Sequence, residues 1–228
     1  MSAPQQLTFP LPQMPALGRA DFIEAPCNAD ALARIDAWPD WPVPRLVISG
    51  PEASGKSHLA QIWAARSRGT ILPARELTLA RLDDLPAHVA VEDADKMFGA
   101  GEAQEALFHL HNRIQAEGGG LLVTGETPPA RWSIALPDLA SRLQAMPLAQ
   151  LAPPDDLLLG RVLAKLFEDR QILPPPPLIP FLLRRMERSF RAARVLVAEL
   201  DHRALSEGRA INTTLAGEIL GSLDPIEG

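Results

Sequence analysis

The chain has 228 residues and a formal net charge of −6, and 46% of its residues are hydrophobic. This composition supplies one sizeable core and a second small one, and it excludes a disordered acidic chain. Proteins whose main partner is nucleic acid are usually basic, because they must neutralise phosphates. The acidic balance therefore argues against DNA as the main direct partner.

Cysteine content and hydropathy indicate the cellular compartment of the protein. The single cysteine, Cys27, excludes an internal disulfide framework and fits a reducing compartment, where we expect a buried or half-buried thiol. There is no apolar run of about 18 residues, and the N-terminus lacks the basic and apolar segments of a signal peptide. We therefore expect a cytoplasmic protein with no membrane partner.

The first two thirds of the chain predict a parallel sheet. Residues 1–20 are proline-rich and are interpreted as an extended N-terminal arm. Short apolar runs then alternate with segments of helical periodicity, which is typical of a parallel sheet with helices on both faces. The predicted strands cover residues 45–49, 70–73, 88–93 and 120–124, and the predicted helices cover 28–38, 56–66 and 102–117.

The pattern changes to helices alone after Pro154. Asp155 or Asp156 can cap a helix with an apolar stripe at helical spacing. Further helices are predicted over 178–187, 192–204 and 212–220. We therefore expect a nucleotide-binding base over 21–152 and a helical lid over 153–228, with a hinge near 151–154.

Residues 50–57 (GPEASGKS) match the phosphate-binding pattern G-x-x-x-x-G-K-[ST] between a predicted strand and a predicted helix. Backbone N–H groups of such a loop surround phosphate oxygens, and the helix directs its positive end at the same anion. Lys56 would reach the terminal phosphates, and Ser57 would hold Mg²⁺. The predicted cofactors are ADP or ATP with Mg²⁺, bound by Gly50, Ser54, Gly55, Lys56 and Ser57.

Polar residues follow two later strands. Glu92 and Asp93 end the third strand. One acid would orient the water shell of Mg²⁺, and the other would orient the attacking water. These acids could instead simply cap a strand at the surface. Thr124 ends the fourth strand and suits a position near a γ-phosphate, although such threonines are commonly structural. Arg142 and Arg191 could be functional or simply solvated.

Taken in order, these motifs resemble those of the DnaA-type AAA+ initiators from about Phe22 to the end of the chain. GPEASGKSHL, with His58 after the loop, resembles their P-loop, and LLVTGETPP resembles their sensor 1 region. LPDLASRL resembles the arginine-finger segment, and ERSFRAARVLVAELD the sensor 2 helix. Phe22-Ile23, ahead of a helix beginning at Asn28, resembles the adenine-side segment.

The resemblance implies a fold and roles for individual residues. The fold is an AAA+ P-loop base with a five-stranded parallel sheet and a small all-helical lid. Ile23, His58, Thr124 and Arg191 would contribute to nucleotide binding. Arg142 would be a finger that acts in trans on a neighbour's nucleotide, which implies pairing with DnaA or a homo-oligomer.

Both ends of the chain indicate one branch of that family. Full initiators continue into a basic helix-turn-helix domain, whereas this chain stops at Gly228, so we expect no such domain and only indirect contact with DNA. The N-terminal QLTFPL resembles the sliding-clamp-binding peptide of the regulatory-inactivator (Hda) branch. Leu7, Phe9 and Leu11 would be apolar anchors and Gln6 a hydrogen-bonding group. The alternative for this segment is an unstructured tail.

The Hda resemblance implies a negative regulator of chromosomal replication initiation. Such a protein binds ADP or ATP, docks on the DNA-loaded sliding clamp (the beta subunit of DNA polymerase III) and stimulates ATP hydrolysis by DnaA. Its expected location is the cytoplasm, at the nucleoid or replisome.

Two departures from the family pattern predict weak ATP hydrolysis by the chain itself. Glu92 stands where the family usually has an aspartate, and Glu126-Thr127 replaces an Asp-Arg pair. Two other functions remain open. One is an autonomous ATPase resembling a helicase loader, and the other is an adaptor that uses the ATPase fold only as a scaffold.

Overall fold

A computed structural model describes residues 18–97 and 101–223 of the chain. The predicted clamp-binding residues Gln6, Leu7, Phe9 and Leu11 lie outside these ranges, and their role stays a prediction.

The centre of the fold is a parallel five-stranded sheet with the order β2-β3-β4-β1-β5. This confirms the predicted fold class. Apolar runs form the central strands because helices cover both sheet faces, as parallel sheets require. The strands are β1 (Arg45–Ser49), β2 (Thr70–Pro73), β3 (His88–Glu92), β4 (Gly120–Gly125) and β5 (Leu148–Gln150).

Helices α1 (Ala29–Asp36) and α2 (Lys56–Ser67) share one apolar cluster, and α3 (Gly101–Glu117) and α4 (Pro137–Ala145) share another. Successive residues of β1 belong to different clusters, since Val47 packs with α3 and α4 whereas Ile48 packs with α1 and α2. Side chains alternate across a strand, so the two clusters lie on opposite faces of the sheet.

The C-terminal helices form a third apolar cluster of their own. They are α5 (Asp156–Glu168), α6 (Leu178–Leu183), α7 (Phe190–Glu207) and α8 (Thr213–Leu223). The carboxylate of Asp155 caps α5 by accepting from the Leu158 N–H at 2.7 Å, and the Ser189 hydroxyl caps α7 by accepting from the Ala192 N–H at 3.0 Å. Within the described residues, no helix is long and apolar enough to cross a membrane.

Several predicted boundaries were wrong. The helix predicted over 28–38 ends at Asp36, because Trp38 precedes a proline and such residues disfavour helical backbone. The helix predicted over 178–187 ends at Leu183, since the chain then turns so that Ser189 can cap α7 in an extended conformation. The third strand ends at Glu92 because Asp93 adopts a left-handed backbone conformation with φ 55°.

Candidate nucleotide-binding site

A glycine-rich loop connects the carboxyl end of β1 to α2. The Gly50 N–H donates to the Gly125 carbonyl at 3.1 Å, which ties the loop to the end of β4. A Cβ atom at Gly50 would lie 2.7 Å from the Leu151 Cβ, and Gly55 has φ 103°. Both positions therefore require glycine, and the backbone of the loop is held in the shape of a phosphate cradle.

Lys56, the first residue of α2, crosses this cradle. Its side chain is 7% exposed, and Nζ donates to the carbonyls of Gly50 at 2.7 Å and Pro51 at 2.8 Å. Burial lowers the pKa of this ammonium, and the carboxylates of Glu126 and Asp93 act in the opposite direction. A partly desolvated cation beside a glycine loop is a strong site for a phosphate oxygen.

Two serines complete the loop. Ser57 is exposed at the start of α2, whereas Ser54 is 3% exposed and its hydroxyl has no hydrogen-bond partner among the described residues. A buried hydroxyl is normally hydrogen-bonded, so the Ser54 hydroxyl beside the cradle is available for a hydrogen bond with a bound group. The geometry of the loop therefore fits the phosphates of ADP or ATP.

The structure brings Glu92, Asp93 and Thr124 together at the carboxyl ends of β3 and β4. The Asp93 N–H donates to the buried Thr124 hydroxyl at 3.2 Å. One carboxylate oxygen of Glu92 is buried and has no partner in the described part of the chain. Because Gly125 in β4 also bonds to the loop at Gly50, this acidic edge adjoins the phosphate cradle.

Lys96 and Asp95 belong to this edge and were missed at the sequence level. Lys96 Nζ lies 3.3 Å from a carboxylate oxygen of Asp93 and 3.3 Å from one of Glu126. Asp95 is 7% exposed and accepts from the Glu126 N–H at 2.7 Å. The spacing of Lys96 three residues after Asp93 could have indicated the pair. The Asp93 carboxylate thus contacts a cation, which competes with water molecules for its oxygens.

The residues Ser57 and Glu92 fit Mg²⁺ only as part of a nucleotide complex. No group of three or more His, Cys, Asp and Glu side chains within residues 18–97 and 101–223 could hold a metal ion. Ser57 offers a hydroxyl and Glu92 an unpartnered carboxylate oxygen. Mg²⁺ commonly takes its other ligands from phosphates and water, so this donor set suits the ion that accompanies a nucleotide.

The segment before α1 lies against the glycine loop. The Asn28 amide fixes this segment by accepting from the Ala25 N–H at 2.9 Å and donating to the Ile23 carbonyl at 3.0 Å. Phe22 stacks edge-on with His58 at 5.0 Å between ring centroids, and burial lowers the pKa of His58.

Two aromatic rings flank the glycine loop. Phe22 and Phe190 each place a ring carbon 3.6 Å from where a Gly55 Cβ would lie. Phe22 belongs to the segment that resembles the family's adenine side, whereas Phe190 was not predicted as a site residue, since it lies far from the glycine loop in the sequence. Aromatic rings beside the cradle give a surface on which a base can stack.

Arg191, the second residue of α7, reaches the glycine loop from the helical cluster. Its Nη1 lies 3.3 Å from a carboxylate oxygen of Glu52, and both side chains are largely exposed. Glu52 was not predicted to belong to the site, because surface ion pairs between distant segments leave no local pattern. The pair places Arg191 at the loop, where its guanidinium can reach a bound phosphate.

Arg142 lies at the other end of the sheet. Its guanidinium carbon is 5.1 Å from the centroid of the Phe108 ring, and it lines a small cavity with Arg45 and His111. Arg45 begins β1, whereas the glycine loop follows the end of that strand, about 15 Å away at roughly 3.3 Å per residue. The structure therefore does not bring Arg142 to the phosphate cradle of its own chain.

His111 is expected to make the stability of the protein pH-dependent. It is 2% exposed, and burial, then the charges of Arg45 and Arg142, lower its pKa from 6.5 to about 4. Between these values the unfolded chain binds more protons than the folded one, so stability falls as pH drops from 6.5 to 4, by up to about 3 kcal/mol. Denaturant unfolding at pH 7 and pH 4.5 measures this loss.

The variant His111→Gln should lose less stability between these pH values than the wild-type protein does. The exposed His109 on the same helix provides the control, because His109→Gln should keep the wild-type loss. Equal losses in the wild-type protein and His111→Gln would contradict the assignment.

The parallel five-stranded sheet, the glycine loop after β1 and the C-terminal helical cluster together form an AAA+ fold. No family model matches the sequence. Among solved structures, the chain is similar to domain III of the replication initiation protein DnaA from Thermotoga maritima. The TM-score is 0.82 at 19% identity, over 92% of this chain and 98% of that one.

Two further structures show the same fold. The AMPPCP-bound DnaA from Aquifex aeolicus matches with a TM-score of 0.71 at 14% identity, over 84% of this chain and 67% of that one. The Holliday junction branch migration motor RuvB from Thermotoga maritima matches with a TM-score of 0.63 at 16% identity, over 79% of this chain and 62% of that one. The fold is thus shared with an initiator and with a motor.

Proposed function

We propose that this protein is a nucleotide-bound AAA+ regulator of replication initiation that promotes ATP hydrolysis by DnaA. One observation carries the proposal: Arg142 lies at the end of the sheet opposite the chain's own glycine loop. An arginine so placed does not reach the chain's own nucleotide site, and it is available to a nucleotide held by a neighbouring molecule. The likeness to DnaA domain III over 98% of that domain supports DnaA as that neighbour.

The chain's own site would hold ADP or ATP. The loop from Gly50 to Gly55 would surround the phosphates, and the Lys56 ammonium would move from two loop carbonyls to phosphate oxygens. Ser57 and Glu92 would hold Mg²⁺, which screens phosphate charge when bound. Thr124 and Arg191 would approach the terminal phosphate, and the segment at Ile23 with His58 would border the adenosine.

Arg142 would act on the partner's nucleotide. A guanidinium stays protonated at all relevant pH values and forms two parallel hydrogen bonds with phosphate oxygens. Placed against a transferring phosphoryl group, it stabilises the charge that develops there and contributes roughly 10³–10⁵ in rate. Pairing of two copies of this chain through the same surfaces gives a homo-oligomer of the same geometry.

Lys96 is expected to suppress ATP hydrolysis by the chain alone, because it pairs with Asp93 and Glu126 at 3.3 Å. Lys96→Ala frees the Asp93 carboxylate to orient and deprotonate water. We expect the rate of the isolated protein to rise at least about tenfold, since a general base contributes roughly 10²–10⁴-fold. Steady-state phosphate release by the purified protein measures this.

A matched control is Lys165→Ala, because Lys165 also pairs with two acids, Asp21 and Asp169, but lies in the lid. The control should hydrolyse ATP at the wild-type rate. An unchanged rate in Lys96→Ala, with nucleotide binding retained, would contradict the proposed suppression.

The sliding clamp is the proposed second partner, on the strength of the QLTFPL segment. Deleting residues 1–12 should abolish binding to the clamp and clamp-dependent stimulation of DnaA, while ADP affinity stays at the wild-type value. The deletion removes the apolar anchors Leu7, Phe9 and Leu11 but no part of the glycine loop. Surface plasmon resonance on immobilised clamp and an ADP titration measure the two effects.

Gln6→Ala combined with Leu7→Ala should reproduce the deletion without shortening the chain. Wild-type clamp affinity in either variant would contradict this part of the proposal.

An autonomous ATPase is the second candidate, favoured by the intact edge of Glu92, Asp93 and Thr124 beside the cradle. It requires substantial turnover by the isolated protein that is lost in Asp93→Asn. The first candidate instead requires that hydrolysis occur on DnaA's nucleotide.

A further inference from the structure

Two arginines and a histidine line a cavity of about 120 Å³ at the amino end of β1. Arg45 and Arg142 both border it, from β1 and α4, and His111 borders it from α3. Within residues 18–97 and 101–223, neither arginine forms a salt bridge with an acid. The two guanidinium groups therefore border one cavity without a carboxylate partner among the described residues.

The charges of this cavity favour an anion. Burial and the charge of Arg142 lower the pKa of Arg45, which means that the folded protein disfavours this cation without a counterion. The Nε atom of Arg45 and the Nδ1 atom of His111 are buried and have no hydrogen-bond partner among the described residues. A bound oxyanion would relieve the repulsion between the two guanidinium groups and accept their N–H groups.

We propose that Arg45 and Arg142 form a two-arginine clamp for a phosphate group. Both guanidinium groups have the planar fork that matches phosphate oxygens. The cavity of about 120 Å³ has room for a phosphate group. Phe108 supports the face of the Arg142 guanidinium, so that its N–H edges remain available.

His111 is a positioning residue of this clamp. Arg45 Nη1 donates to His111 Nε2 at 3.2 Å, so that Nε2 is the acceptor and the ring proton lies on Nδ1. The neutral ring is 2% exposed and fixed within α3. It therefore holds the Arg45 guanidinium at the cavity without adding a third charge.

The clamp takes phosphate from one of two sources. The first is the terminal phosphate of a nucleotide on a neighbouring molecule, a role that rests on the function proposed above for Arg142. The second is free inorganic phosphate. The two arginines recognise phosphate oxygens in the same way in both cases. Arg45 supplies a second cation beside Arg142.

Direct binding is measured by calorimetric titration of the full chain with inorganic phosphate. All variants in this titration carry Lys56→Ala as a common background. This substitution removes the Lys56 charge at the glycine loop, which would also bind phosphate. Arg45→Gln keeps an N–H donor but removes the charge and the guanidinium fork, and Arg142→Gln does the same for the second arginine. Each should weaken phosphate binding about 10- to 100-fold, because hydrogen bonds to charged groups are lost.

The exposed Arg131, which pairs with no acid in the described residues, provides the control, and Arg131→Gln should bind phosphate as the background does. Circular dichroism and thermal unfolding verify that the variants fold. His111→Phe should weaken binding, whereas His111→Gln, whose amide oxygen can accept from Arg45, should retain it. Unchanged phosphate binding in Arg45→Gln or in Arg142→Gln would contradict the two-arginine clamp. Failure of the Lys56→Ala background protein to bind phosphate would contradict it as well.

Stimulation of DnaA's ATP hydrolysis identifies the source. A loss of at least about tenfold in Arg45→Gln assigns the neighbour's terminal phosphate. Full stimulation in that variant, with phosphate binding lost, assigns free phosphate. If the wild-type protein does not stimulate DnaA but phosphate binding still depends on both arginines, the proposed function is contradicted and the two-arginine clamp is supported.

Discussion

Arg142→Ala is expected to reduce the hydrolysis of DnaA-bound ATP to the rate of DnaA alone. A guanidinium acting in trans contributes roughly 10³–10⁵ to phosphoryl transfer, so its removal should eliminate any stimulation that depends on it. The variant should keep ADP affinity and clamp affinity, because Arg142 lies at the end of the sheet opposite the glycine loop. The measurement is phosphate release from ATP-loaded DnaA in the presence of DNA-loaded clamp.

Arg142→Lys separates charge from shape. Lysine keeps the positive charge but lacks the planar fork, so we expect only partial stimulation. Arg131→Ala is the control for loss of an exposed arginine and should stimulate normally. Normal stimulation by Arg142→Ala would exclude the finger role.

Lys56→Ala is expected to lower the affinity for ADP and ATP about 100-fold, since charge-assisted hydrogen bonds to phosphate are lost. Its folding should change little, because within residues 18–97 and 101–223 the hydrogen bonds of Nζ are to two carbonyls of its own loop. Fluorescence titration with a labelled nucleotide measures the affinity, and thermal unfolding without nucleotide measures the stability.

The control Arg209→Ala should bind nucleotide at wild-type affinity, because Arg209 pairs with Glu207 and Glu218 beyond the end of α7 that is far from the glycine loop. If Lys56→Ala loses nucleotide but stimulates DnaA fully, the chain acts as an adaptor on an old ATPase scaffold, and the nucleotide-dependent regulator is excluded. Wild-type affinity in Lys56→Ala would contradict the phosphate cradle itself.

The fold was largely predictable because its determinants are local. Apolar runs of four or five residues between helical segments predicted four strands, and all four are present. The strand Leu148–Gln150 was not assigned, since three residues carry too little periodicity. The glycine loop was predictable because Gly50 and Gly55 are required by close approach and by a positive φ.

The rest of the site depends on contacts between distant segments. Lys96 and Glu126 meet because β3 and β4 are neighbours, and Arg191 meets Glu52 although 139 residues separate them. The clamp of Arg45 and Arg142 requires β1 and α4 to converge at one edge of the sheet. Tertiary packing creates such pairs, and no spacing in the sequence indicates them.

The most direct test of the proposed regulator follows labelled ATP pre-bound to DnaA through a single turnover, with and without this protein and DNA-loaded sliding clamp. We expect the DnaA-bound label to be hydrolysed faster only when this protein and the sliding clamp are both present, and Arg142→Ala to remove the acceleration. No acceleration, with hydrolysis arising only from nucleotide bound to this chain, would contradict the proposed function and assign an autonomous ATPase.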